Sequence, residues 1–177
     1  MKYFDELKRT MTWVGQQNRT FFLGQATATY GTFMSKTLDD VDLSKRLEFP
    51  VCESLQMQFT LGIALQGGII PISVFPRWNF LLLATGDLVN MVDKVYSISR
   101  GQIKPHLIVR VAIGPDSPVH PGHQHVGDFT EQFRVMLPNV VVTKLEEPYQ
   151  IFDAYKYAVE NPNTYLMVED GRYYSTK

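Results

Sequence analysis

The chain has 177 residues, 45% hydrophobic and 20% charged, with a formal net charge of −1. This is the balance of a single globular domain able to bury a sizeable core, and it offers no electrostatic footing for nucleic acid or an anionic lipid surface. One cysteine, Cys52, excludes an intrachain disulfide framework and suits a reducing compartment, so a cytoplasmic location is expected.

At the N-terminus, "MKYFDELKRTMTWVGQQ" carries acids and lacks the apolar core of a signal peptide. Within it Phe4, Leu7, Met11 and Val14 recur at helical spacing and predict a first helix, after which "TFFLGQAT" reads as a buried strand. From Tyr30 to Pro50 the chain is polar and shows no period. Next, "SLQMQFTLGIALQGG" predicts a helix ended by Gly67 and Gly68, followed by the strand "IIPISVF" and a long helix, "LLLATGDLVNMVDKVYSISR", closed by Gly101. The strand "HLIVRVAI" is too short and too charged to span a bilayer, and it leads into a Pro/Gly/His-rich loop from Gly114 to Gly127. A short helix, the strand "NVVVTKL", the helix "EPYQIFDAYKYAVEN" and the strand "TYLMVED" complete the alternation. Strands that are apolar throughout and alternate with helices predict a three-layer α/β fold, a mainly parallel sheet with helices on both faces. In such folds ligands gather at the carboxyl ends of the strands. No repeat, low-complexity tract or linker divides the chain.

Three features at predicted strand or helix ends carry chemistry. Glu53 opens a run from Ser54 to Gln66 without a formal charge. A carboxyl there is either the cap of a buried helix or a desolvated group kept for proton transfer. Trp78 and Phe80, in "FPRWNF", stand at a strand–helix junction, where aromatic rings either fill the core or stack on a flat ligand. His120, His123 and His125 share the loop after the strand "HLIVRVAI"; Pro121 and Gly122 interrupt them and no cysteine is near, so a metal set is not expected. They read either as a polar cluster that shuttles protons beside a substrate or as incidental groups on a solvated loop. Gly86, Asp87 and Asn90 crowd one helical stretch too closely to surround a diphosphate, and Cys52 beside Glu53 reads as a packed structural thiol. Neither GxGxxG, GxxxxGK[ST] nor GxSxG occurs.

In order along the chain stand "FPVCE" ending at Glu53, "LGIALQGG" at Leu61 to Gly68, "WNF" at Trp78 to Phe80, Asn90, "IVR" ending at Arg110 with Gly114 after it, and "HQH" ending at His125. This succession resembles the pyrimidine-binding domain of thiamine-diphosphate enzymes of the transketolase superfamily. The closest likeness is to the N-terminal domain of the β subunit of 2-oxo acid dehydrogenases of the pyruvate dehydrogenase type, where "TPITE", a Gly-x-Ala-x-Gly-type helix, "FNF", a strand ending in Arg and a "QHS" loop succeed one another. The resemblance implies thiamine diphosphate as cofactor, with Glu53 bonded to N1′ of its aminopyrimidine. It implies Phe80 stacked on that ring with Trp78 beside it, and His125 facing the substrate, with His123 and His120 as substrate-side alternatives. A transketolase-type "THQ" loop is matched by "GHQ" at Gly122 to Gln124, which would favour His123; the 13-residue interval from His125 to Pro138 favours His125.

The same resemblance implies one pyrimidine-binding domain over residues 1–177, with diphosphate-binding and C-terminal domains absent. Mg²⁺ and the diphosphate would then be held mainly by a partner chain carrying a diphosphate-binding domain, in a homo- or hetero-oligomer, with no nucleic acid or membrane partner. Gln25 stands where an acid often follows the family's first strand, and Val126 where it has serine. These departures leave room for a non-catalytic relic that serves as an assembly module.

Overall fold

In the computed structural model, which describes residues 2–117 and 120–175, the helix α1 (Tyr3–Gln16) turns Tyr3, Leu7, Met11 and Val14 fully inward. Each such burial contributes about 1.5–3 kcal/mol, which is why spacing alone predicts this element. The strand β1 (Thr20–Gly24) follows. The unpatterned segment after it holds a short helix, α2 (Phe33–Lys36), capped by Thr32, and a three-residue edge strand, β2 (Arg46–Glu48). Too short to display a period and paired on one side alone, β2 leaves no signal in the sequence. The helix α3 (Glu53–Gln66) ends where Gly67 takes φ +74°, and the strand β3 (Ile70–Phe75) is buried along its whole length.

The long helix expected from Leu81 to Arg100 is instead a series of short turns. These are α4 (Trp78–Leu81), a 3-10 turn, α5 (Thr85–Asp87), a π turn at Leu88–Val92, and α6 (Val95–Ile98). At the π turn the Asp93 N–H donates to Leu88 O at 2.9 Å, and the widened turn sets Asp93 inward. Its carboxylate there accepts the Asn139 N–H at 2.7 Å, a bond that a regular helix would not align. The strand β4 (Leu107–Ile113), helix α7 (Thr130–Met136), strand β5 (Val140–Leu145), helix α8 (Pro148–Glu160) and strand β6 (Thr164–Asp170) match the expected alternation.

All six strands are parallel, in the order β2-β1-β3-β4-β6-β5. On one face α1 and α8 pack over Ile72, Val74, Ile108 and Met167; on the other α3, the broken helical segment and α7 pack over Phe75, Val109, Val111 and Val168. The α/β architecture is therefore three-layered with helices on both faces. No helix among the described residues is long and apolar enough to cross a membrane. The chain adds β2 on one side of β1 and β3 on the other. By topology, the crevice where parallel α/β sheets take ligands falls at that reversal, at the carboxyl ends of β1 and β3.

A polar network crosses the first of these faces. The wholly buried Arg110 donates from Nε to Glu169 Oε1 at 2.5 Å and from Nη2 to Glu169 Oε2 at 3.0 Å and Thr37 Oγ1 at 2.8 Å. Burial disfavours the guanidinium charge, and the Glu169 carboxylate more than offsets this. The hydroxyls of Tyr155 and Tyr174 donate to Glu169 at 3.1 and 2.7 Å; burial, reinforced by that carboxylate, keeps both protonated. The network ties β4, β6 and α8 to Thr37 and Tyr174, which lie outside the sheet.

Candidate active site at the carboxyl ends of the strands

β1 ends at Gly24, whose φ is +143° and whose missing Cβ leaves room for the Val74 carbonyl. Gln56 Nε2 reaches the same spot and donates to Ser73 Oγ and Val74 O, both at 3.0 Å. The first turns of α3 are thereby anchored over the end of β3. Glu53, the first residue of α3, is only 7% exposed, and its Oε1 accepts from Gln25 Nε2 at 2.9 Å. Its Oε2 takes no protein donor among the described residues.

The loop carrying Gln25 is clamped from β2. Glu48 accepts the backbone N–H groups of Ala26, Thr27, Ala28 and Thr29 at 2.7–3.1 Å. Burial opposes the Glu48 charge, but these four donors prevail and hold its carboxyl below the usual range.

Across the crevice, the β3–α4 junction sorts its two expected aromatic residues differently. Trp78 is fully buried, with its ring centroid 4.9 Å from that of Phe133 and 6.2 Å from that of Phe129, so it packs in the core rather than on the cleft surface. Phe80 is half-buried, and the His125 ring meets it edge-on at 5.6 Å and 77°. Gly114 makes this meeting possible, because a Cβ there would collide with the His125 carbonyl oxygen. Thr32, Pro76, Arg77, Phe80, Pro121 and His125 enclose a cleft of about 250 Å³.

His120 and His123 form a separate exposed pair, 5.3 Å between centroids, with His120 Nδ1 accepting the Gly122 N–H. The structure therefore joins Phe80 with His125. Glu53 stands at a neighbouring strand end, with no hydrogen bond or ring contact to that pair among the described residues. Cys52, expected to pack, is exposed.

Sequence reasoning passed over the Gln25–Glu53 bond as a contact, the Glu48 clamp, and Arg77 in the cleft wall. The departure at Gln25 was visible as a residue type; its partner was not. A lone arginine between Pro76 and Trp78 has no local pattern to mark it.

No family model matches the sequence. The chain is 25% identical over 169 residues to "Pyruvate dehydrogenase E1 component subunit beta, mitochondrial" of Drosophila melanogaster, covering 92% of this chain and 44% of that protein. To the protein of the same name from Saccharomyces cerevisiae it is 30% identical over 161 residues, covering 87% of this chain and 42% of that one. The chain thus spans less than half the length of either relative. Among solved structures, "Split gene transketolase, inactive beta4 tetramer" superposes with a TM-score of 0.67 at 15% identity, over 94% of this chain and 50% of that one. A transketolase from Leishmania mexicana superposes with a TM-score of 0.73 at 15% identity, over 95% of this chain and 25% of that one. At such identities the structures speak to the fold. In sequence and in fold together, the chain matches a transketolase-superfamily pyrimidine-type domain, with pyruvate dehydrogenase E1 β subunits among its sequence relatives.

Proposed function

We propose that the chain is the pyrimidine-binding half of a thiamine-diphosphate-dependent enzyme, of 2-oxo acid dehydrogenase β or transketolase type, with its site completed by a partner chain. The observation that carries this reading is a buried carboxyl with one open oxygen, Glu53, at the same carboxyl end of the sheet as an accessible aromatic ring, Phe80, that touches a histidine. These residues fit an aminopyrimidine: Phe80 offers a ring to stack on and Glu53 Oε2 offers a polar partner. When bound, the cofactor supplies the nucleophilic thiazolium carbon that adds to a substrate carbonyl.

Glu53 would hold the aminopyrimidine through the oxygen that Gln25 leaves open, since Gln25 occupies Oε1. As an amide, Gln25 positions Glu53 without being able to relay a proton to it. His125, braced against Phe80, presents its imidazole to the substrate side, where a histidine side chain can donate or accept a hydrogen bond or a proton. His123 and His120 remain at the rim. The diphosphate and Mg²⁺ fall to the partner chain.

Support for a partner comes from α3, whose buried side faces the sheet while Leu55, Phe59 and Leu65 on its other sides are 45–48% exposed. A helix that is apolar on more than one side is ordinarily covered on more than one side. A reducing compartment such as the cytoplasm suits the exposed Cys52 thiol, though the two relatives are mitochondrial by name. The alternative, a non-catalytic assembly module, is favoured by Gln25 in place of an acid.

The test is co-expression with a chain carrying a diphosphate-binding domain, followed by calorimetry with thiamine diphosphate and Mg²⁺ and by turnover assays on 2-oxo acids and ketose phosphates. The pair is expected to bind the cofactor saturably, and Glu53→Gln to lower turnover by about 10²–10⁴-fold. Absence of binding by the pair, or unchanged turnover in the variant, leaves the assembly module as the function.

A further inference from the structure

Arg77 carries a charge into a half-buried place with no carboxylate paired to it among the described residues. Its Nη1 donates to the Pro76 carbonyl at 2.7 Å, and no other protein acceptor bonds it among the described residues. Burial lowers its pKa, and the one opposing group is the Tyr174 hydroxyl, which is not an anion at neutral pH. Arg110, Arg172 and Arg9 are instead paired with Glu169, Asp170 and Glu6, whereas Arg46, also half-buried, likewise bonds only a backbone carbonyl, that of Thr27, and lines neither of the two concavities described next. A desolvated guanidinium without a counter-ion is costly, and the cost is relieved by a ligand that brings the missing charge.

Two concavities meet at this side chain. One is the cleft of Phe80 and His125; the other, about 330 Å³, is lined by Tyr30, Gly31, Thr32, Phe33, Lys36 and Arg77. Thr32 and Arg77 belong to both. Lys36, with its ammonium 5.0 Å from the Phe33 ring centroid, brings a second cation to the wall.

The geometry points to a binding site for a small-molecule oxyanion, a phosphoryl or carboxylate group, held by the Arg77 guanidinium with Lys36 as a second charge. A planar fork of N–H donors matches two oxygens of either group, and a partly dry site strengthens the pairing. Its lining residues all belong to this chain, and it shares Phe80 and His125 with the proposed cofactor cleft but not Glu53.

The chain has four histidines, and His125 shares the cleft with Arg77, so its imidazole signal in NMR reports occupancy. The 177-residue chain is titrated with inorganic phosphate and, separately, with pyruvate, at constant pH and with sodium chloride matching the ionic strength. A saturable shift of His125 that leaves buried His106 unmoved is expected with at least one probe. Arg77→Met is expected to weaken it at least tenfold, Arg77→Lys to weaken it less, and the exposed Lys156→Met to leave it unchanged. An unmoved His106 signal in each variant shows that the fold is intact, and Arg77→Lys serves if Arg77→Met is not. Response to phosphate alone assigns the site to phosphoryl groups, and response to pyruvate alone to carboxylates. Response to neither, or an undiminished response in the Arg77 variants, overturns the site. The proposed function is read separately, by thiamine diphosphate binding to the assembled pair, so either can fail without the other.

Discussion

The Gln25 amide, one residue past the end of β1, donates to Glu53 Oε1 at the first turn of α3 across 2.9 Å. Two segments separated by a polar stretch of chain thus meet at the crevice, and one carboxyl oxygen is committed before any ligand arrives. Gln25→Ala is expected to cost about 0.5–1.5 kcal/mol in urea unfolding, the net worth of one hydrogen bond. In the assembled pair it should also weaken cofactor binding, because Glu53 loses its orientation; equal affinity in wild type and variant would count against the positioning role.

Glu48 makes stability depend on acid. Its folded pKa lies below its ordinary value, because four backbone donors outweigh burial, so its contribution is present above the ordinary value of about 4.5 and is lost as pH falls below it. Urea midpoints from pH 7 to 3 should fall for the wild type and fall less steeply for Glu48→Gln. At pH 7 the variant should be about 1–3 kcal/mol less stable, since an amide cannot satisfy the same set of N–H groups.

His106 adds a separate dependence nearer neutrality. It is buried, its Nε2 lies 2.7 Å from Ala158 O, and its Nδ1 has no partner among the described residues. Burial lowers its pKa, so the stability it contributes is present above the unfolded value of about 6.5 and declines as pH drops toward the folded value. Replacement by Gln should flatten the change in unfolding free energy between pH 7 and pH 5. An unaltered profile would show that His106 titrates alike in both states.

Breaking the buried Arg110–Glu169 pair from one side should be severe. Arg110→Met strands the Glu169 carboxylate and is expected to cost about 3–5 kcal/mol, whereas Arg110→Met combined with Glu169→Leu should recover much of it. Chemical denaturation of both single variants and the double variant measures the coupling.

Trp78 and Phe80, two positions apart, should respond in opposite ways. Trp78→Ala empties a wholly buried site and should cost about 3–5 kcal/mol of stability. Phe80→Ala, at a half-buried position, should cost less stability and show its main effect on cofactor affinity in the assembled pair. Comparable losses of stability would mean that Phe80 is a core residue too.

The elements that could be read in advance are those whose burial is periodic along the chain. The stripe Phe4, Leu7, Met11 and Val14 announces α1, although Tyr3 and not Phe4 is its fully buried first member, and the apolar runs Ile70–Phe75 and Leu107–Ile113 announce central parallel strands. β2 could not be read, because three residues on an edge have no period. Nor could the π turn, after which Asp93 meets Asn139, a residue far along the chain. At the site, the order of the motifs brought Glu53, Phe80 and His125 forward by number. That Trp78 belongs to the core and Phe80 to the cleft depends on Phe129 and Phe133, residues with no local tie to the junction.

By itself, the sequence determined the layer architecture and the polarity of each strand's surroundings, because hydrophobic periodicity is a local record of which side chains leave water. The tertiary structure alone decided which groups meet: Gln25 with Glu53, His125 with Phe80, and Arg77 between two concavities with no acid paired to it among the described residues. Those meetings arise from strand order and loop return, which depend on the whole sheet closing, and a polar side chain shows its partner only once the chain has brought it there.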